Sequence, residues 1–266
     1  MGPIAAAFSE LKREGEAGLI PFITAGDPDL DTTAELLVEL ANSGASIIEL
    51  GVPFSDPMAD GPVIQRASER ALRKGFGLKE IFATTARARA RIETPLVLFS
   101  YFNPLLQYGI DKLARDARQA GIDGILVTDL TPEESQEFAA ALKLNELDMI
   151  FLVAPTSTDE RLRMISAHAS GFVYAVSRAG VTGARENLSG EAELLVTRVR
   201  KSSSLPVAVG FGISSAEQVA KTCMYADAAV VGSAIVAKIG KLSGSPDLVK
   251  EVGQFVRSLI SDSRAE

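Results

Sequence analysis

The sequence predicts an α/β chain closed into a (β/α)8 TIM barrel, and three observations carry that reading. Short apolar runs alternate with longer helical stretches through eight repeats. The apolar runs are nearly continuous rather than alternating, as strands of a parallel sheet buried on both faces must be. A length of 266 residues suits one such barrel. A doubly wound open sheet competes, but eight regular units without a break favour closure. No linker or charge run divides the chain, so one domain spanning 1–266 with a short N-terminal helix is expected.

Ala5 to Arg13 reads as that leading helix. Leu19 to Thr24 is the first strand, ending in Ala-Gly-Asp-Pro, and Leu30 to Ser43 is a helix closed by Gly44. Ser46 to Gly51 is the second strand, followed by one or two helices over Val63 to Arg91 broken around Gly75 and Gly77. Leu96 to Tyr101 is the third strand, with an Asn-Pro loop and a helix from Ile110 to Ala120. Gly124 to Thr128 is the fourth. Thr131-Pro-Glu-Glu then carries a capping residue, a proline at the first position and acids in the first turn, which predicts a helix starting there. The fifth to eighth strands are Met149 to Val153, Gly171 to Val176, Pro206 to Val209 and Ala228 to Val231. Helices are expected over Ser157 to Ser166, Glu191 to Ser202, Ser214 to Cys223 and about Pro246 to Ile260, with a short one starting near Gly232-Ser233.

Composition removes several functions. A net charge of −7 and a pI near 5 provide no basic surface for nucleic acid or anionic lipid. No apolar run reaches membrane length, and the N-terminus lacks a signal-peptide pattern. The single cysteine, Cys223, can form no internal disulfide, so a cytoplasmic setting is expected. No His/Cys cluster has metal spacing, and the one histidine, His168, falls on the amino-terminal side of the sixth strand. None of the ten lysines sits at a strand end, where a Schiff-base enzyme would need one.

Barrel chemistry lies in the loops at the carboxyl ends of the strands. Gly210-Phe211-Gly212-Ile213-Ser214 after the seventh strand and Gly232-Ser233 after the eighth both lead into helices. Glycines there permit tight turns, but the two together form the phosphate cradle usual in this fold. The Ser177 to Ser189 loop, with Gly180, Gly183, Arg178 and Arg185, has the length and glycines of a lid. With lysine, histidine and cysteine chemistry set aside, acid–base work falls to Glu49, Asp60, Tyr101, Asp129 and Tyr174. Glu49 stands in an apolar strand, where burial favours its neutral form. A pairing with a buried arginine or a hydrogen bond from Thr24 is the alternative. Asp60 precedes Gly61-Pro62, where ordinary turn chemistry competes with a catalytic role.

These residues resemble a known family. The segments 21–28 (PFITAGDP), 49–62 (ELGVPFSDPMADGP), 101–104 (YFNP), 177–183 (SRAGVTG) and 210–214 (GFGIS) are similar to those of the tryptophan synthase α subunit. The similarity runs in order through essentially the whole chain. It implies a lyase of the same barrel fold that cleaves indole-3-glycerol phosphate to indole and glyceraldehyde 3-phosphate. A stand-alone lyase releasing free indole is the alternative. By the resemblance, Glu49 and Asp60 are catalytic, the first exchanging protons and the second holding the ring N–H. Phe22, Tyr101, Asp129, Val153 and Tyr174 would line the pocket or support Glu49, with Val153 where the family can carry isoleucine. Gly183, Phe211, Gly212, Ile213, Gly232 and Ser233 would hold substrate, most of them at its phosphate, and Thr182 would touch Asp60 from the lid. No cofactor is expected in this chain. Pyridoxal phosphate would belong only to a partner β subunit in an αββα tetramer, faced by Pro53 to Asp56 and by Asn103-Pro104.

Overall fold

The computed structural model describes residues 1–176, 188–210 and 212–261. Eight parallel strands close on themselves in sequence order: β1 (Gly18–Thr24), β2 (Ile48–Gly51), β3 (Leu96–Ser100), β4 (Gly124–Val127), β5 (Asp148–Val153), β6 (Val173–Val176), β7 (Val207–Gly210) and β8 (Ala228–Val231). The last pairs with the first through Gly18↔Ala228 to Pro21↔Val231, which settles closed barrel against open sheet.

Helix α1 (Pro3–Glu14) precedes the barrel, and α2 (Leu30–Asn42) follows β1. Two helices, α3 (Pro62–Leu72) and α4 (Leu78–Arg89), follow β2. Two more, α5 (Phe102–Tyr108) and α6 (Ile110–Gln119), follow β3. Then come α7 (Gln136–Leu144), α8 (Asp159–His168), α9 (Leu188–Arg200) and α10 (Ala216–Cys223), with α11 (Ser233–Leu242) and α12 (Leu248–Ser261) after β8.

Two apolar layers result from the period of two along the strands. Ile20, Ile47, Val97, Leu126, Ile150 and Ala208 fill the barrel interior, where α1 adds Ile4 and Phe8. The Phe8 ring packs on Phe172 at 5.7 Å between centroids, so α1 stoppers the amino-terminal end. The intervening positions, such as Ile23, Leu50, Leu98 and Phe151, pack outward under the helices. Each fully buried aliphatic side chain contributes roughly 1.5–3 kcal/mol.

Three elements depart from the sequence reading. Asn103-Pro104 belongs to α5 rather than to a loop. Pro104 sits in the first helical turn, where N–H groups have no intrahelical acceptor and a missing one costs nothing. Asp129 supplies an acceptor from across the next strand, its Oδ1 taking the Phe102 N–H at 2.7 Å. Helix α7 starts at Gln136, not at Thr131. The Glu134 and Ser135 N–H groups donate three residues back to Thr131 and Pro132, closing a tight turn that precedes the helix. The short helix expected at Ser233 runs for ten residues.

Candidate active site

Glu49 on β2 is wholly buried, with neither carboxylate oxygen hydrogen-bonded among the described residues. Among the described residues, neither a buried arginine nor Thr24 pairs with it. The Thr24 hydroxyl is itself buried and has no partner among the described residues. Burial alone pushes the Glu49 carboxyl up to about 8, so the group is mostly protonated at neutral pH. Tyr174 on β6 faces the barrel interior, and its hydroxyl is held far above the ordinary phenol range, by burial first and then by the charge of Glu49.

Asp60 lies in the loop after β2 and is partly buried. Burial raises its carboxyl to about 6, against a hydrogen bond from the Tyr101 hydroxyl that favours the charged form. Tyr101 also accepts the Ala59 N–H at 2.9 Å, so its ring, stacked at 5.2 Å on Phe54, fixes the approach of this loop. Gln65 of α3 donates to the Asp60 carbonyl at 2.9 Å. One carboxyl is thus neutral and one largely ionised near pH 7, each set by its surroundings.

A crevice at the carboxyl ends of β1 to β3 is lined by Phe22, Thr24, Gly51, Asp60, Phe99 and Tyr101, among others. Its aromatic wall is a chain of edge-on contacts, Phe22 to Phe99 at 5.4 Å and Phe99 to Tyr174 at 6.5 Å. Two glycines make that wall possible. A Cβ on Gly51 would lie 2.4 Å from the Phe22 ring, and one on Gly210 would lie 2.1 Å from the Tyr174 hydroxyl. The cradle strands β7 and β8 are hydrogen-bonded neighbours. Gly212 has φ +84, a conformation open to glycine, and Gly232 leads directly into α11 beside the Cβ of Phe22. Ile213 is buried and Ser233 is exposed.

The structure therefore gathers Glu49, Tyr174, Phe22, Asp60 and Tyr101 on the barrel mouth, with Gly212, Ile213, Gly232 and Ser233 after β7 and β8. Two expected pocket residues stand elsewhere. Val153 packs in the outer layer under the helices, because β5 alternates and Leu152 takes the interior face. Asp129 is exposed and bonded to the Phe102 N–H rather than to Glu49. Phe99 was not singled out in the sequence, although its spacing of two from Val97 puts it on the inward face. Thr182, Gly183 and Phe211, with the rest of the expected lid up to residue 187, lie outside the described residues. His168 is exposed at the end of α8, with Nδ1 at 2.8 Å from the Met164 carbonyl.

Fold and site together define a protein of the (β/α)8 class whose mouth brings a buried glutamic acid, a second carboxylate and aromatic rings together. The family model described as tryptophan synthase alpha chain matches residues 8–262. A tryptophan synthase alpha chain from Geobacter sulfurreducens is 49% identical over 259 residues, covering 97% of this chain and 98% of the relative. The crystal structure of tryptophan synthase subunit alpha from Legionella pneumophila superposes with a TM-score of 0.92 at 36% identity, covering 99% of each chain. A ligand-free tryptophan synthase structure from M. tuberculosis gives 0.86 at 38% identity, covering 97% of this chain and 99% of the other. The chain belongs to the tryptophan synthase alpha chain family. Its reaction is accordingly the lyase step of tryptophan biosynthesis that cleaves indole-3-glycerol phosphate, and these relatives favour the subunit role over a stand-alone lyase.

Proposed function

We propose that Glu49 and Asp60 carry the carbon–carbon cleavage, and the observation that supports this is the wholly buried Glu49 carboxyl, which has no partner among the described residues. Breaking the bond between indole carbon 3 and the side chain requires somewhere for its electron pair to go. Proton donation from neutral Glu49 to carbon 3 turns the ring into an indolenine cation, which accepts that pair. The carboxylate left on Glu49 then takes the proton of the adjacent side-chain hydroxyl as that carbon becomes the aldehyde. Indole and glyceraldehyde 3-phosphate result, and Glu49 is protonated again. Asp60, ionised, accepts the ring N–H and stabilises the positive charge that develops there.

Phe22, Phe99, Tyr101 and Tyr174 would enclose the indole, and backbone N–H groups around Gly212, Ile213, Gly232 and Ser233 would take the phosphate. Substrate would also meet Thr182, Gly183 and Phe211. In this reading the chain requires no cofactor of its own, works in the cytoplasm, and joins a pyridoxal-phosphate β subunit as an αββα tetramer. The exposed apolar side chains of Met58 and Leu106, each two residues beyond a segment expected to face that partner, support the contact.

The test is indole release from indole-3-glycerol phosphate by the purified chain, with and without a β subunit. Slow release alone and stimulation by the partner are expected. Fast, unstimulated release would replace the subunit reading with the stand-alone lyase.

A further inference from the structure

Asp27, in the loop after β1, is only 1% exposed and receives two parallel hydrogen bonds from Arg70 of α3, Nε to Oδ1 and Nη2 to Oδ2, both 2.7 Å. A bidentate arginine–carboxylate pair fixes relative orientation as well as distance, which a single ammonium contact does not. The Arg70 guanidinium also lies against α11, where a Cβ on Gly240 would come within 2.9 Å of Nη2. One side chain therefore touches three elements, namely the β1 loop, its own helix and the helix that begins at the phosphate cradle.

Helix α3 begins two residues after Asp60, and its Gln65 holds the Asp60 carbonyl. Just beyond α3, Phe76 presses on the β1 loop so closely that a Cβ on Gly26 would fall 1.7 Å from its ring. The seat of α3 is thus fixed at both ends, with Asp60 attached to the end nearer the chemistry.

We propose that Arg70, through Asp27, is a positioning residue for the cleavage reaction: it seats α3 against the β1 loop and α11 and thereby holds Asp60 at the crevice. This rests on the reading of Asp60 as the ring N–H acceptor. The groups facing Asp60 are the Tyr101 hydroxyl from just after β3 and, along the same crevice, Thr24 from β1. Those facing Arg70 are Asp27 and Glu69. When the seat loosens, water reaches the Asp60 carboxylate, so the acid limb of its activity profile moves down from about 6 toward the usual carboxylate range.

The experiment compares pH profiles of kcat/KM for the parent, Arg70→Met, Arg70→Lys, Asp60→Asn and Arg89→Met. The last breaks a buried ion pair at the opposite end of the barrel and controls for lost stability. Arg70→Met should lower kcat about tenfold and shift the acid limb down by about one pH unit. Arg70→Lys should fall between it and the parent. Arg89→Met should lose thermal stability with its limb in place. An unmoved limb in folded Arg70→Met, with the limb absent in Asp60→Asn, overturns the positioning role alone. A limb that persists in Asp60→Asn overturns the reading of Asp60 and the positioning role with it.

Discussion

Asp123 and Glu49 are both buried carboxylates on the strand framework, 4% and 0% exposed, and the protein treats them oppositely. Asp123 sits just before β4, at the amino-terminal end of the barrel. It is bonded by the Arg89 guanidinium and the Leu96 N–H, and Arg118 approaches to 3.6 Å. Arg89 in turn ties down the carbonyls of Gly121 and Thr94. Every polar atom in that cluster serves to join α4, β3 and β4. Glu49 has no such partner among the described residues, and burial keeps it neutral. An unpaired buried polar group costs about 1–3 kcal/mol, which the closed barrel sustains at Glu49 and, among the described residues, again at the Thr24 hydroxyl. At the amino-terminal end Asp123 is tied into cohesion, while on β2 the Glu49 carboxyl is left without a partner among the described residues.

The largest test of that contrast is Glu49→Gln. Cleavage should fall by about 10²–10⁴-fold while substrate still binds, since the amide keeps the shape but cannot exchange the proton. Retained turnover would place the acid elsewhere. The same substitution has a stability signature. The folded carboxyl titrates near 8, well above its unfolded value, so the native state holds a proton that the unfolded state has lost. Parent stability should therefore decline as pH rises from about 4.5 toward 8, by on the order of a few kcal/mol, and Glu49→Gln should remove the part of that decline between about 6 and 8, above the range in which Asp60 titrates. Urea unfolding at several pH values reads it directly.

Arg89→Met should do the reverse, costing about 3 kcal/mol of stability with kcat unchanged in the folded protein, because it strands Asp123 in the interior. A drop in turnover without a drop in stability would break the division between the two ends. Gly210→Ala should cost roughly 1–3 kcal/mol and also slow the reaction, since the new methyl displaces the Tyr174 hydroxyl. Calorimetry and steady-state rates separate those two effects. The smallest effect is expected at Arg91→Ala, which removes a pair to Glu35 whose side chains are 49% and 52% exposed. Its thermal midpoint should stay within about a degree of the parent, as water already screens both charges.

The closed barrel was legible because strand composition, unit length and repeat number all reflect local chain chemistry. Glu49 was legible for a related reason. A carboxylate among Ile47, Ile48 and Leu50 conflicts with its neighbours whatever the fold, and the absence of alternative proton carriers narrowed the choice further. Strand alternation also contained the inward face of Phe99 and the outward one of Val153, but it requires the register of the pleat, which a four- to six-residue apolar run does not declare.

What the tertiary structure decided are relations between distant segments. Asn103-Pro104 became helical because Asp129 brings an acceptor from the loop after β4, and Asp60 is held by Tyr101 from just after β3 and Gln65 from α3. The pairing of Arg70 with Asp27 joins positions 43 residues apart. Local sequence sets which residues want to be buried and which turn the chain. Which carboxylate finds a partner, and which is left buried without one, depends on what closure of the barrel places beside it.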